Sequence, residues 1–217
     1  MLPPDHRPRR LFQLYLGLAL YGFSMALMIR ANLGLDPWDA FHQGIAEHVP
    51  WSFGTVTIVV GAAVLLLWIP LRQRPGLGTI SNVVVIGLAV DASLWLLPTM
   101  TWTPGRWTFM IAAILLNGVA GGCYIGAGLG PGPRDGLMTG LVRKTGGSVR
   151  VIRTGIELTV LAIGWLLGGS VGIGTIAYAL FIGPVVHVTL PLLTVAGPEV
   201  SAEEGPRADD GGLPAAA

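Results

Sequence analysis

The chain carries an internal repeat with an offset of 96 positions, since residue 129 opens the same motif as residue 33. The two versions of the motif read Leu33-Gly34-Leu35-Asp36-Pro37-Trp38-Asp39 and Leu129-Gly130-Pro131-Gly132-Pro133-Arg134-Asp135. At the same offset, without a gap, Gly22 matches Gly118 and Gly78-Thr79-Ile80 matches Gly174-Thr175-Ile176. A fixed register without insertions predicts two copies of one structural unit.

The composition is that of a polytopic membrane protein. Of the 217 residues, 52% are hydrophobic and only 12% are charged, with a net charge of +1. This balance, without a basic patch, argues against nucleic acid as a partner. Cys123 is the single cysteine, so the chain contains neither an internal disulfide nor a site built from several cysteines. The sequence suggests no metal site and no cofactor.

Six largely apolar runs are close to the roughly 20 residues that a helix needs to cross a bilayer, and three fall in each copy. The predicted spans are 11–29, 53–71, 79–97, 107–127, 151–167 and 174–196. They divide the chain into a cytoplasmic N-terminal segment 1–10, a first membrane repeat 11–97, a second membrane repeat 107–196 and a disordered cytoplasmic tail 197–217. The fold class is therefore all-α, a bundle of six transmembrane helices.

Arginine and lysine fall on one side of this arrangement, which predicts that both termini are cytoplasmic. Because three spans per copy is an odd number, the second copy enters the membrane from the opposite side. The repeats are then inverted, an arrangement common in transporters whose working site lies where the copies meet.

Each repeated motif predicts a short helix after the first span of its copy. Asp36 suits the N-cap, Pro37 the first helical position, and Asp39 the first turn, where a carboxylate is favourable. We expect helices of about 12 residues, too short to cross, that end near Pro50 and at Gly146-Gly147. They lie in the interface with an apolar stripe that includes Trp38, or they fold back as re-entrant half-helices.

In the second copy Gly132, Pro133 and Asp135 fill the corresponding places, with Arg134 in place of Trp38. The N-terminus of the second short helix is the better suited of the two to an anion, because Gly132 leaves the cap free of a carboxylate and Arg134 is close.

Ionisable residues within the spans are candidate functional groups. Asp91 and its repeat equivalent His187 are interpreted either as a proton-responsive pair near the pseudo-twofold axis or as structural groups. Glu157 is expected to form an ion pair with Arg153, four positions earlier on the same helix. Asn82 either lines a polar path or forms hydrogen bonds between helices. No catalytic motif is present, so we expect no enzymatic activity.

The chain resembles the YczE/YitT-like family of bacterial integral membrane proteins. The residues that carry this resemblance are Ala31-Asn32-Leu33-Gly34, Pro37-Trp38-Asp39, Gly76, Gly78-Thr79, Asn82, Ile86-Gly87, Asp91, Gly130-Pro131 and Arg134-Asp135-Gly136-Leu137-Met138. The resemblance implies a multi-pass protein of the bacterial plasma membrane and supplies no mechanism.

Two functions fit these features. The first is a transporter or permeation pathway for a small solute or ion, and the second is a membrane scaffold or assembly factor without transport activity. The expected partners are the lipid bilayer, a small-molecule or ion substrate and another copy of the chain. A polar cavity lined by both copies and reaching Asp91 or Asn82 favours transport, and a tightly packed apolar centre favours the scaffold. The candidate site residues are Asp36, Pro37, Trp38, Asp39, Asn82, Asp91, Arg134, Asp135, Glu157 and His187.

Overall fold

A computed structural model describes residues 7–195, and every regular element in this range is a helix. The tail predicted over 197–217 and the first six residues of the predicted N-terminal segment lie outside the described range. The elements are α1 (Arg7–Ala31), α2 (Pro37–Ala46), α3 (Phe53–Trp68), α4 (Leu77–Leu96), α5 (Thr103–Gly126), α6 (Pro133–Thr145), α7 (Val149–Leu166) and α8 (Ile173–Leu193).

The helices repeat with the offset found in the sequence. Helices α1 to α4 begin at 7, 37, 53 and 77, and α5 to α8 begin at 103, 133, 149 and 173, each 96 positions later. The short helices are α2 and α6. As predicted, Asp36 caps α2 by accepting from the backbone N–H groups of Trp38 and Asp39, and α6 ends at Gly146, which has a φ of 67°. The end expected near Pro50 was placed too late, because α2 stops at Ala46.

Helices α1 and α5 pack against each other in antiparallel directions. Gln13 of α1 donates to the carbonyl of Cys123 at the C-terminal end of α5, and Ser24 accepts from Asn117 in its middle. An arginine near the start of each helix also binds the C-terminal end of the other helix. Arg10 donates to the carbonyl of Ala127 over 2.9 Å, and its repeat equivalent Arg106 donates to that of Ala31 over 2.8 Å. Each arginine thereby satisfies a carbonyl that a helix C-terminus leaves without a partner.

The repeated loop of each copy binds the start of the last helix of the other copy. The N–H of Gly78 donates to Leu129 over 2.8 Å, and the N–H of Gly174 donates to Leu33 over 2.7 Å. The loops turn at Gly34 (φ 110°) and at its equivalent Gly130 (φ 128°). Backbone angles in this positive range favour glycine. A Cβ on Gly34 would also lie 2.4 Å from the backbone nitrogen of Gly172. The motif residues that repeat most clearly therefore hold the two copies together.

Four of the described helices are long and apolar enough to cross a membrane, namely α1, α4, α5 and α8, whereas α3 is apolar but shorter. Helix α7 has 18 residues and includes Arg150, Arg153 and Glu157. The glycine face of α5 packs within the chain, where Val185 and Thr189 of α8 lie over Gly118 and Gly122. Many outward side chains on these helices, such as Trp95 at 86% exposure, are large and apolar, as expected of surfaces that face lipid.

Equivalent helices of the two copies pack differently. Helix α4 packs on α1 as α8 packs on α5, but α3 also packs closely on α4, whereas α7 packs mainly on α2. The α3–α4 contact is close because Gly54 and Gly87 face each other: a Cβ on Gly87 would lie 2.6 Å from the carbonyl oxygen of Gly54. The position equivalent to Gly54 is Arg150. A long charged side chain thus replaces the glycine that lets the first pair approach.

Candidate functional site

The N-termini of the two short helices meet inside the protein. Asp36, the N-cap of α2, is 1% exposed, and its Oδ1 lies 3.8 Å from a guanidinium nitrogen of Arg134 at the start of α6. Gly132 caps α6 without a side chain, and so the only carboxylate in the first turn of α6 is that of Asp135. The centre of the protein is therefore polar rather than a tightly packed apolar core.

A cavity of about 540 Å³ surrounds this meeting point. Its wall combines both short helices with parts of α1, α4, α5, α7 and α8. It reaches the protein surface near Arg153 and Thr154, which line it and are exposed. The polar residues of the wall are Tyr21, Asp36, Asn82, Asn117, Tyr124, Arg134, Asp135, Arg153, Thr154, Glu157, Thr175 and Tyr178. The volume falls within the range of ordinary small-molecule sites, roughly 300–1,000 Å³.

Arg134 is the central cation of the cavity. Besides Asp36, it donates to the hydroxyl of Tyr21 over 3.0 Å, and its guanidinium carbon lies 5.5 Å from the ring centre of Trp38. A guanidinium has five N–H donors, so these contacts leave donors that face the cavity. The indole N–H of Trp38 is buried and has no hydrogen-bond partner. The cavity therefore offers donors as well as carboxylates.

Hydrogen bonds hold the remaining polar side chains in fixed positions. The hydroxyl of Tyr178 donates to Asn117 over 3.0 Å, and the amide of Asn117 donates in turn to Ser24 over 2.9 Å. On the opposite wall the hydroxyl of Tyr124 donates to Asp135 over 3.4 Å. Because these side chains are already ordered, binding a solute costs less side-chain entropy.

A second, much smaller cavity of about 40 Å³ lies on the other side of the short helices. It is lined by Met25, Trp38, His42, Thr57, Val60, Gly61, Val64, Asn82, Val83, Ile86, Pro133 and Arg134. Except for Val64, each of these residues has its equivalent, 96 positions away, in the wall of the large cavity. The two cavities are therefore repeat equivalents of each other, one large and one small.

A row of buried ionisable residues follows one face of α2. Asp39 is fully buried, and neither of its carboxylate oxygens has a hydrogen-bond partner. Its Oδ1 lies 3.5 Å from Nδ1 of His42, one turn further along. His42 lines the small cavity and Asp36 the large one. The row thus extends from one cavity to the other.

Burial sets the protonation of this row. Burial raises the pKa of Asp36 to about 7, with a further increase from the neighbouring Asp39, while the charge of Arg134 opposes both effects. Burial raises the pKa of Asp39 to about 6, again against Arg134. Burial and Arg134 lower the pKa of His42 to about 3. The two carboxyl groups therefore titrate near neutral pH beside a neutral imidazole.

Most of the residues singled out in the sequence lie at this site. Asp36, Pro37, Trp38, Asn82, Arg134, Asp135 and Glu157 line the large cavity, and Asp39 is buried directly behind it. Although Arg153 and Glu157 both belong to the described range, no ion pair joins them. Arg153 instead lies exposed at the mouth of the cavity, so the pairing expected from their spacing does not form.

Asp91 and His187 are not brought together. The carboxylate of Asp91 accepts from the hydroxyl of Ser52 and from the N–H of Gly54, the latter over 2.8 Å, at the start of α3. His187 is exposed on α8, which packs on α5. Neither residue lines the two cavities described above. The hypothesis of a proton-responsive pair formed by these two side chains therefore has no support in the geometry, and Asp91 fastens α4 to α3.

Three residues of the site escaped the sequence analysis. Tyr21 and Tyr124 pack edge to face, with ring centres 6.0 Å apart, beside Arg134 and Asp135. His42 completes the buried row of α2. In the sequence, nothing distinguishes the two tyrosines from other residues of the apolar runs in which they lie. The i, i+3, i+6 spacing of Asp36, Asp39 and His42 was the available signal for the histidine, since it places all three on one helix face.

Comparisons with known proteins are consistent with a membrane location. Residues 8–191 match a family of unknown function, DUF6198. The chain is 37% identical over 180 residues to an uncharacterized protein of Haemophilus influenzae, with 83% of each chain covered. It is 36% identical over 179 residues to the uncharacterized membrane protein YczE of Bacillus subtilis, covering 82% of this chain and 83% of that protein.

A more distant relative is the uncharacterized protein YyaS of Bacillus subtilis, 20% identical over 182 residues that cover 82% of this chain and 90% of that protein. No solved structure matches the chain. The similarity to YczE confirms the resemblance drawn from the motifs. By the extent of the match, which includes both copies of the repeat and all the residues around the cavity, the chain belongs to the family of unknown function DUF6198.

Proposed function

We propose that the protein is a transporter that moves a small polar solute across the bacterial cytoplasmic membrane by exposing one central site to each side in turn. The observation that carries this proposal is the pair of repeat-equivalent cavities, one of about 540 Å³ and one of about 40 Å³. Two related cavities of unequal size around shared residues are what alternating access between inverted repeats requires.

An inverted arrangement of the two copies is supported by the antiparallel packing of α1 and α5. These helices are repeat equivalents, and both are long and apolar enough to cross a membrane. If both cross, the two copies have opposite orientations. The six spans of this proposal are then α1, α3 and α4 in the first copy and α5, α7 and α8 in the second.

The short helices are proposed to be re-entrant. Their N-termini meet at Asp36 and Arg134 within the protein, and the middle of α2 is buried between α3 and α7. An interfacial helix would have one face on the membrane surface, whereas Trp38 and Ala40 of α2 are both buried. Non-helical backbone at membrane depth is tolerated where it is enclosed by protein or borders a water-filled cavity, which suits the loops before both helices.

In this state the protein is closed on the side of the small cavity, where α3 packs on α4 and Asp91 links the two helices. It is open on the side of the large cavity, beside α7. With both termini in the cytoplasm, as the distribution of basic residues predicts, the exposed rim at Arg153 and Thr154 lies toward the cytoplasm. The described state is then the inward-facing one. The outward-facing state would close this cleft and open the small cavity.

The test is uptake by proteoliposomes of a panel of labelled small polar solutes, first identified as ligands by the rise in Tm that they cause in purified protein. Wild type is compared with Arg134→Gln, and Arg150→Gln, which lies outside both cavities, is the matched control. We expect uptake of at least one solute by wild type and by the control, with a loss of tenfold or more in Arg134→Gln. If ligands bind and no solute is taken up, a binding or scaffold role replaces transport.

A further inference from the structure

Nothing in the proposed function explains why two carboxyl groups are buried in the first turn of α2. Asp36 is 1% exposed and Asp39 is 0% exposed. Oδ1 of Asp36 accepts from two backbone N–H groups, whereas both oxygens of Asp39 and Nδ1 of His42 have no partner. A buried carboxylate without hydrogen bonds is unfavourable, and it becomes far less so when it binds a proton.

We propose that the Asp36–Asp39 pair is the site of a coupling proton, which the pair binds and releases as the two cavities open in turn. The coupling rests on the proposed transport function, whereas the proton site itself does not depend on it. Asp36 lines the large cavity, and His42, 3.5 Å from Asp39, lines the small one. The pair is therefore next to both routes by which a proton can reach it.

The same geometry links the proton to solute binding through Arg134. When Asp36 is ionised, its negative charge attracts the guanidinium of Arg134, which lies 3.8 Å away. When the pair gains a proton, that attraction weakens, and Arg134 is available to an anionic group of a solute in the cavity. A proton and an anionic solute group would then bind together, each favouring the other, as reciprocal linkage requires.

The charged and titratable groups around the pair are consistent with this role. Helix α6 contributes Arg134 and Asp135, and α7 contributes Arg153 and Glu157 at the large cavity. Helices α1, α5 and α8 contribute the hydroxyls of Tyr21, Tyr124 and Tyr178. Helix α3 has no ionisable residue. Arg134 is thus the cation close to the pair, and carboxyl pKa values of about 7 and about 6 place the titration near neutral pH.

The second copy lacks this row, which provides a matched control. Gly132, Asp135 and Met138 stand at the positions equivalent to Asp36, Asp39 and His42. Asp135 is half-buried and accepts from Tyr124, so it is not an unpartnered buried carboxylate. Asp135→Asn therefore removes a carboxylate of the same site without removing the proposed proton.

The test is a pH titration of the carboxylic acid band in the infrared spectrum of the purified full-length protein. We expect a band that is lost between about pH 5 and about pH 8, one unit beyond the two pKa values. Labelling wild type with ¹³C-aspartate should shift the band, which assigns it to aspartate rather than glutamate even if a variant fails to fold. Asp39→Asn should remove or displace the band, and Asp135→Asn should retain it. A band that is absent, insensitive to the label or unchanged in Asp39→Asn would overturn the proton site.

Coupling is tested separately by thiol labelling at repeat-equivalent positions, Val60→Cys and Ile156→Cys, each in a Cys123→Ala background. Acidification from pH 8 to pH 6 should change the ratio of the two labelling rates at least threefold in otherwise wild-type protein and in His187→Ala, which removes an exposed titratable group outside both cavities. In the double variant Asp36→Asn/Asp39→Asn, which removes both carboxyl groups of the pair, the ratio should not depend on pH. Rates that alternate but ignore pH would overturn proton coupling and leave transport in place. Rates that never alternate would overturn transport, while the infrared band would still decide the proton site.

Discussion

The two copies share one helical plan but differ at one pair of helices. In the first copy, Gly54 and Gly87 let α3 and α4 approach, and the carboxylate of Asp91 binds the N-terminus of α3. In the second copy, Arg150 and His187 replace Gly54 and Asp91, and α7 leaves α8 to pack on α2. The first pair borders a cavity of about 40 Å³ and the second borders one of about 540 Å³.

An internal repeat thus specifies a shared shape, and substitutions between the copies make the two equivalent cavities unequal. Thr57 and Gly61 line the small cavity, and Arg153 and Glu157 stand at the equivalent positions of the large one. Charged side chains favour contact with water and resist burial. The sequence difference between the copies therefore favours contact of the large cavity with water.

The largest effect is expected from Gly87→Leu. A Cβ at this position would already lie 2.5 Å from the side chain of Ile58 and 2.6 Å from the carbonyl oxygen of Gly54. We expect a loss of about 3 kcal/mol or more from overpacking, measured as a lower Tm in detergent. The control is Gly183→Leu at the equivalent position. A Cβ on Gly183 would have no atom of another helix within 4 Å. Equal losses in the two variants would mean that the copies do not differ here.

Arg134→Gln should destabilise the protein by about 1–3 kcal/mol, because it removes the cation next to buried Asp36 and the donor to Tyr21. The loss should be smaller at pH 5 than at pH 8, because Asp36 is neutral at the lower pH. The double variant Asp36→Asn/Arg134→Gln should recover part of the stability. Additive losses in this double-mutant cycle would contradict a direct interaction.

Asp91→Ala should cost about 0.5–2 kcal/mol, the range for loss of a helix N-terminal acceptor, because Ser52 and Gly54 lose their shared partner. It should also raise the labelling rate of Val60→Cys by loosening the α3–α4 contact. His187→Ala at the equivalent, exposed position should change neither quantity. An unchanged labelling rate in Asp91→Ala would show that this carboxylate does not hold the closed side.

Asp39→Asn is expected to have the smallest effect, and the size of this effect depends on pH. A carboxyl whose pKa is raised in the folded state binds a proton more tightly there than in the unfolded chain, so its contribution to stability falls as pH rises toward about 6. At pH 8 the ionised, buried Asp39 is unfavourable, and Asn should raise the Tm by about 2–4 °C, equivalent to about 1 kcal/mol. The gain should shrink toward pH 5. A lower Tm for Asp39→Asn at pH 8 would contradict the burial of an ionisable carboxyl.

The sequence was sufficient to predict the helical plan. Apolar runs and the fixed offset located all eight helices of residues 7–195, and Asp36 and Gly146 marked a cap and a C-terminus, because these features depend on local spacing and backbone geometry. The two short helices were also recognised as parts of the site. What escaped prediction was the three-dimensional contact between Asp36 and Arg134, which are distant in the sequence and meet only because the copies pack antiparallel.

The roles of the polar residues within the spans were harder to predict. Asp91 and His187 are equivalent by position, yet one binds the start of α3 and the other is exposed. Repeat equivalence gives corresponding positions in two copies, and it does not bring these positions into contact unless they lie near the axis. Arg153 and Glu157 had the spacing of an ion pair, but the open cavity gives both side chains access to water, which weakens the attraction between them.

The inverted arrangement of the two copies is tested by the membrane face from which Val60→Cys and Ile156→Cys react. The reagent is a membrane-impermeant thiol reagent, used in the Cys123→Ala background. Intact cells and inside-out vesicles present opposite faces of the membrane to the reagent. We predict that Ile156→Cys is labelled rapidly and from the cytoplasmic face, and that Val60→Cys is labelled slowly and from the outer face. Labelling of both positions from the same face would contradict inverted repeats and, with them, alternating access.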